Sequence, residues 1–324
     1  MSLSLLKEAK VRAAAGRELQ RLQARAPTLR AEHEKQKKLL ASRIVEIWGS
    51  ALDLYQHALL ESQQLARRIV RASKSASPNI RRTHLGLFGR TLLTASEVLD
   101  LLRSGHGHGA YARWRTLFEL AAFAEFIKAK GADAANRYVD HYAIGTLRYL
   151  TTRWPSLGTQ GCTAPPETTR LFQRLTAERA RLEQVYGKPF SKELGWASKW
   201  IPDRVTIQSI VAAVDLPRVK PEYQLASNYV HAGGRGSLDN VQFTGTGEKL
   251  RCWPSDELIS RPGRLASVSL ALHCSMLVQA CQVPAAAKTA FAIGTIAQEA
   301  EKAFVAGHER WVEETRRDDL DWQR

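Results

Sequence analysis

The chain has 324 residues and a mass of 36.1 kDa, enough for one large domain or two smaller ones, and its 44% hydrophobic content excludes wholesale disorder. Lys and Arg number 47 against 32 Asp and Glu, so the net charge is +15 and the pI about 9.9, a balance that attracts anionic partners such as polyphosphates. Cys162, Cys252, Cys274 and Cys281 form no C-x-x-C pair, which excludes a disulfide scaffold, argues against structural zinc and reads as reduced thiols of a cytoplasmic protein.

The N-terminus holds no apolar run suited to secretion and turns charged within ten residues. Residues 3–25 and 28–72 follow helical periodicity, and Pro27-Thr28 reads as a break with a capping residue, so a long helical hairpin is expected. The N-terminal end is basic: residues 1–90 hold 18 Lys or Arg and 7 Asp or Glu, a balance of +11 out of the total +15. Its apolar stripe on residues 39–59 needs a partner, and a homodimer through these helices is one expectation. Ser73 to Asn79 reads as a loop ending in a first-turn proline, so a boundary is placed near residue 76, separating a hairpin (1–76) from a bundle domain (77–324).

Ile80–Leu102 resumes the helical period. Gly105-His-Gly-His-Gly109 reads as a loop opening onto a helix over Tyr111–Lys130, which ends at Gly131; Asp133–Thr152 is the next helix. After a Pro- and Gly-rich loop, Pro166 opens a helix to Tyr186, and short helices follow near 191–200, 204–214 and 221–231. The glycines of Gly233–Ser237 and Thr244–Gly247 allow at most one small β-hairpin near 233–253, and helices near 263–282 and 285–317 complete the chain. The fold class is all-α: the hairpin appended to an orthogonal multi-helix bundle. Leu265–Val283 approaches membrane-span length but carries His273, Gln279, Gln282 and serines, so it reads as a core helix and no membrane partner is expected.

Two segments carry chemistry. Arg115 and Glu119 lie four apart in an apolar helix, where a buried carboxylate needs a cation or a histidine from another helix. Tyr223, Ser227 and His231 recur every four residues and line one stripe, with the imidazole at a helix C-terminus suited to general acid work. No G-x-S-x-G elbow accompanies Ser227, and Gly233-Gly-Arg-Gly lacks the ending of a phosphate-binding P-loop, leaving Arg235 as an anion-friendly arginine in a turn. His106 and His108, with His84 one helix earlier and His141 one helix later, could converge on a cation, but they show neither the tight helix-based pair nor the cysteine pair of a zinc site, so no metal or cofactor is assigned.

The R-x-x-x-E helix (Arg115 to Glu119), the Gly195-Trp-Ala197 element and the segment Tyr223-x-x-x-Ser227-x-x-Val-His231-Ala together resemble an uncharacterised bacterial helical family, domain of unknown function 5677, over roughly residues 80–285. That resemblance implies a mostly helical domain of unassigned activity. A weaker similarity is to the higher eukaryote and prokaryote nucleotide-binding helical superfamily, whose metal-independent nucleases pair an arginine with a histidine four to six residues later. Here Ala226 and Ser227 stand where that arginine belongs, so the positive group would come from Arg115 or Arg235.

The leading expectation is a nucleic-acid-directed effector, a metal-independent ribonuclease of toxin or phage-defence type, with RNA favoured over DNA. His231 would be the acid/base, Arg115 the phosphate clamp, Glu119 the orienting group, and Ser227 and Tyr223 supports. Arg67, Arg68, Arg71, Lys74, Arg81, Arg82 and Arg235 would bind the nucleic acid. The competing expectation is a non-catalytic module that binds nucleic acid or a partner and regulates, its polar centre structural.

Overall fold

The computed structural model describes residues 3–72, 77–155, 157–159, 164–214, 216, 220–231, 234–244 and 247–321. Within these, side chains are described outside 3–13, 235, 242–244, 249 and 316–321. Among the described residues the fold is all-α apart from one hairpin. Helices α1 (Leu3–Ala72), α2 (Pro78–Arg103), α3 (Gly107–Arg153) and α4 (Pro166–Tyr186) precede the short α5 (Ile207–Ala212), α6 (Lys220–Val230) and α7 (Gly234–Leu238). Strands β1 (Val241–Thr244) and β2 (Gly247–Leu250) pair antiparallel, Val241 opposite Leu250, and α8 (Ser260–Ala280) and α9 (Ala287–Asp321) close the fold.

The expected N-terminal hairpin is replaced by one continuous helix. Pro27 lies inside α1 on an exposed turn, where water can satisfy the carbonyl that the missing N–H frees, so the proline does not end the helix. The second half of α1 is also not an appendage. Ile44, Trp48, Leu52, Tyr55, Leu59, Leu65 and Ile69 are buried in one core with Phe88 of α2, Trp114 of α3, Leu270 of α8 and Phe304 of α9. The stripe expected to need a partner at 39–59 is therefore covered by the chain itself, Leu39 excepted, and the division expected near residue 76 falls between two helices that share a core. Burying side chains of this size contributes roughly 1.5–3 kcal/mol each, which fixes α1 against α2, α8 and α9.

α2 opens as expected, with Ser77 as N-cap and Pro78 in the first turn. The Gly-His-Gly-His-Gly segment differs from expectation: Gly105 turns the chain at φ 73°, but Gly107 already begins α3. A Cβ on Gly107 would lie 2.2 Å from the Leu258 carbonyl oxygen, so glycine serves close packing there and not looseness. α3 bends at Gly131 (φ 73°, ψ −152°), where the helix end was expected, and its second half packs with α4 and two 3₁₀ turns, Lys188–Ser191 and Gly195–Ala197. A second core forms there around Phe126, Ile144, Leu182, Phe190 and Trp196. The expected helices near 191–200 and 204–214 shrink to these turns and α5, and Gly234–Leu238 is helical, so the β-hairpin begins only at Val241. Among the described residues no helix is long and apolar enough to cross a membrane.

Candidate functional site

α3 presents Tyr111, Arg115 and Glu119 at intervals of four, and α6 packs its Glu222 and Tyr223 against that stripe. Two tyrosine–glutamate bonds cross the interface in opposite senses. The Tyr223 hydroxyl donates to Glu119 Oε1 at 2.6 Å, and the Tyr111 hydroxyl donates to Glu222 Oε2 at 2.6 Å. Each carboxylate also holds an arginine. Arg115 Nε lies 3.1 Å from Glu119 Oε1, and its guanidinium covers the Tyr223 ring at 4.8 Å; Arg261 of α8 grips Glu222 through Nε at 2.8 Å and Nη2 at 2.9 Å. The bidentate pair with Arg261 is the stronger and more directional of the two.

Burial, reinforced by the bond to Glu119, pushes the Tyr223 phenol up to about 12, and burial with the bond to Glu222 moves Tyr111 above the ordinary tyrosine range. Burial works to raise the Glu222 carboxyl, but the bonds from Tyr111 and Arg261 outweigh it and leave the group below its usual value. At neutral pH both phenols are therefore fixed donors, and Glu222 is an acceptor whose charge is matched.

The stripe expected on α6 is only partly assembled. Tyr223 enters the network, but Ser227 turns its hydroxyl back to the Tyr223 carbonyl at 2.8 Å, and His231 is exposed one turn further on, its backbone N–H donating to the Ser227 carbonyl. A cavity of about 590 Å³ opens beside Trp114, Phe118, Arg261 and Glu301, and another of about 1060 Å³ lies between His106, His108, Tyr229 and Trp253; His231 lines neither. His108 stacks on Tyr229 at 4.4 Å, His84 is buried, and His141 Nε2 meets the Lys192 carbonyl at 3.0 Å, so the histidines do not gather. Among the described residues no group of three or more His, Cys, Asp or Glu side chains is placed to hold a metal.

The basic residues cluster where α1 ends and α2 begins. Arg67, Arg68, Arg71 and Arg82 are exposed; Arg68 donates to Thr289 Oγ1 at 3.3 Å, and Arg81 donates to the Val70 carbonyl at 2.9 Å, tying the two helices together. Lys74 and the Arg235 side chain lie outside the described residues.

Sequence reasoning missed Tyr111, Glu222 and Arg261. Extending the Arg115–Glu119 spacing one step back reaches Tyr111, and Glu222 adjoins Tyr223, but Arg261 carries no local signal. Arg137 was missed as well: only 4% exposed, it donates to the Trp196 carbonyl at 2.9 Å and lies 4.5 Å from the Tyr186 ring, locking the Gly195-Trp-Ala197 turn onto α3.

No curated protein and no solved structure matches the chain. The profile of a family of unknown function, DUF5677, matches residues 83–248, from the first turns of α2 through α3, α6 and the network between them to β2. That span includes Arg115, Glu119, Tyr223, Ser227 and His231 and covers just over half of the 324 residues, so the chain belongs to this family.

Proposed function

We propose that the protein is a nucleic-acid-binding module, RNA being its preferred partner, in which the tyrosine–glutamate network is structural. The observation that carries this reading is how the arginines sort. Those at the centre are matched by carboxylates: Arg115 by Glu119, Arg261 by Glu222, Arg264 by Glu301 and Arg113 by Glu97. At the α1–α2 junction, Arg67, Arg68, Arg71, Arg81 and Arg82 have no carboxylate partner among the described residues, so their charge is available to phosphates. Cleavage draws less support. A ribonuclease would want His231 within reach of Glu119 or Arg115, whereas Glu119 is engaged by Tyr223 and Arg115 and His231 faces solvent; the arginine expected four to six residues before the histidine is also absent. A second copy of the chain is a further partner in this reading, through Leu19, Leu22 and Leu29, which keep three- and seven-residue spacing on the exposed part of α1.

The test is binding of labelled RNA at several salt concentrations by the wild type, His231→Ala and a variant with Arg67, Arg68, Arg71 and Arg82 changed to serine. Affinity should fall steeply with salt in the wild type and in His231→Ala, and the quadruple variant should bind weakly with a log–log salt slope reduced by roughly 3–4. Chelator-resistant cleavage of RNA that disappears in His231→Ala would replace this reading with the ribonuclease.

A further inference from the structure

The second half of α3 displays two tyrosines that the fold does not use. Tyr142 is 79% exposed and Tyr149 63% exposed. They stand seven residues apart, two helical turns, so their rings project from one face about 10.5 Å apart. Gly145 lies between them, and a Cβ there would meet nothing within 4 Å, so the surface between the rings is bare. Exposed aromatic rings in a row on a rigid helix are costly to solvate and are common where flat ligands stack.

The two arginines nearest this face are not offset by acids. Arg148 donates to the Ser191 carbonyl at 2.9 Å, and the Arg153 guanidinium lies 5.1 Å from the Trp154 ring; neither has a carboxylate partner among the described residues. Of the neighbouring acids, Asp133 pairs with Lys199 at 2.7 Å, and Asp140, which keeps its charge while accepting from the Tyr186 hydroxyl at 2.8 Å, sits on the opposite side of α3 from Tyr142. At the other end, Asn79 in the first turn of α2 donates to Asn136 of α3 at 2.8 Å. That bond fastens α3, about 9 Å along the helix before Tyr142 and roughly a third of a turn round from it, to the start of α2, and α3 then runs about 25 Å from Asn136 to Arg153.

We infer that this face, from Arg82 across Asn79 and Asn136 to Tyr142, Tyr149 and Arg153, is a track for single-stranded nucleic acid, its bases stacking on the two tyrosines and its phosphates meeting the arginines. The inference rests on the nucleic-acid reading above and narrows it. A duplex hides its base faces, so it gains nothing from the rings, whereas a single strand offers a face to each.

The experiment compares fluorescence anisotropy of a labelled twelve-nucleotide single-stranded RNA and a duplex of equal length, using the full chain as wild type, the Tyr142→Ala/Tyr149→Ala pair and the Tyr142→Phe/Tyr149→Phe pair. The alanine pair should weaken single-strand binding by about tenfold or more while leaving duplex binding and the salt slope unchanged, and the phenylalanine pair, which keeps both rings, should bind as the wild type does. Alanine variants that bind the single strand like wild type, while the arginine variant loses it, would overturn the track yet leave nucleic-acid binding standing, and would assign the tyrosines to a protein surface. A wild type that binds neither RNA at low salt would overturn both.

Discussion

Tyr223→Phe removes one oxygen and little else. The ring stays against Phe118, whose centroid is 6.0 Å away, and beneath the Arg115 guanidinium at 4.8 Å, so the change isolates the 2.6 Å bond to Glu119. A hydrogen bond to a charged group contributes roughly 1.5–3 kcal/mol. The Glu119 side chain is 26% exposed and keeps its ion pair with Arg115, so water can replace part of what is lost and the lower end of that range applies. The expected loss is about 1.5 kcal/mol, or a fall in Tm of about 3 °C by the scaling for chains of a few hundred residues. Urea unfolding of wild type, Tyr223→Phe, Glu119→Gln and the double variant gives the coupling energy directly, and it should account for most of the single-variant loss. If Tyr223→Phe unfolds with the wild type but fails in RNA binding or processing, the hydroxyl acts on a ligand and the structural account of the network is refuted.

Acid should weaken the fold through two buried histidines. Burial, with the nearby Lys128, depresses His84 to about 4, and burial, with His84 itself, depresses His273 to about 3. Both are neutral in the folded protein, while the unfolded chain takes up protons below about 6.5, so their full contribution to stability is present above that pH and is lost as the pH falls towards 4 and then 3. Each adds up to about 1.4 kcal/mol per pH unit over its window, and urea midpoints that stay flat from pH 6.5 to 5 would contradict this. Gly107→Ala should cost more than 2 kcal/mol, since its Cβ would press on the Leu258 carbonyl at 2.2 Å, and calorimetry showing an unchanged Tm would mean that α3 can shift without loss.

Local punctuation in the sequence was readable wherever a residue had few options. Pro78 and Pro166 open α2 and α4, Gly131 bends α3, and α4 ends at Tyr186 because Gly187 follows it at φ 86°, each of these prolines and glycines sitting where backbone geometry decides. Pro27 misled because the same residue is tolerated on an exposed turn, and Gly107 and Gly236 misled because close packing, not looseness, explains them, a Cβ at either pressing on a backbone carbonyl, of Leu258 or of Asn228; α7 forms although Gly234 has no such contact. At the site, the apolar setting of Glu119 announced a partner, but the partner is a phenol 104 positions along the chain, where a cation or histidine was expected. The bond between Tyr111 and Glu222, 111 positions apart, is of the same kind. Contacts at such separations depend on how α6 and α8 land on α3, which no periodicity encodes.

α1, with 70 residues, is about 105 Å long, whereas a compact chain of this size has a radius of gyration of about 20 Å. Its first thirty or so described positions therefore project well beyond the body, and friction with solvent follows that length more than the mass of 36.1 kDa. A monomer will diffuse slowly and leave a gel-filtration column early, imitating a compact dimer. Light scattering, which reads mass without reference to shape, separates one copy from two and shows whether Leu19, Leu22 and Leu29 meet their counterparts.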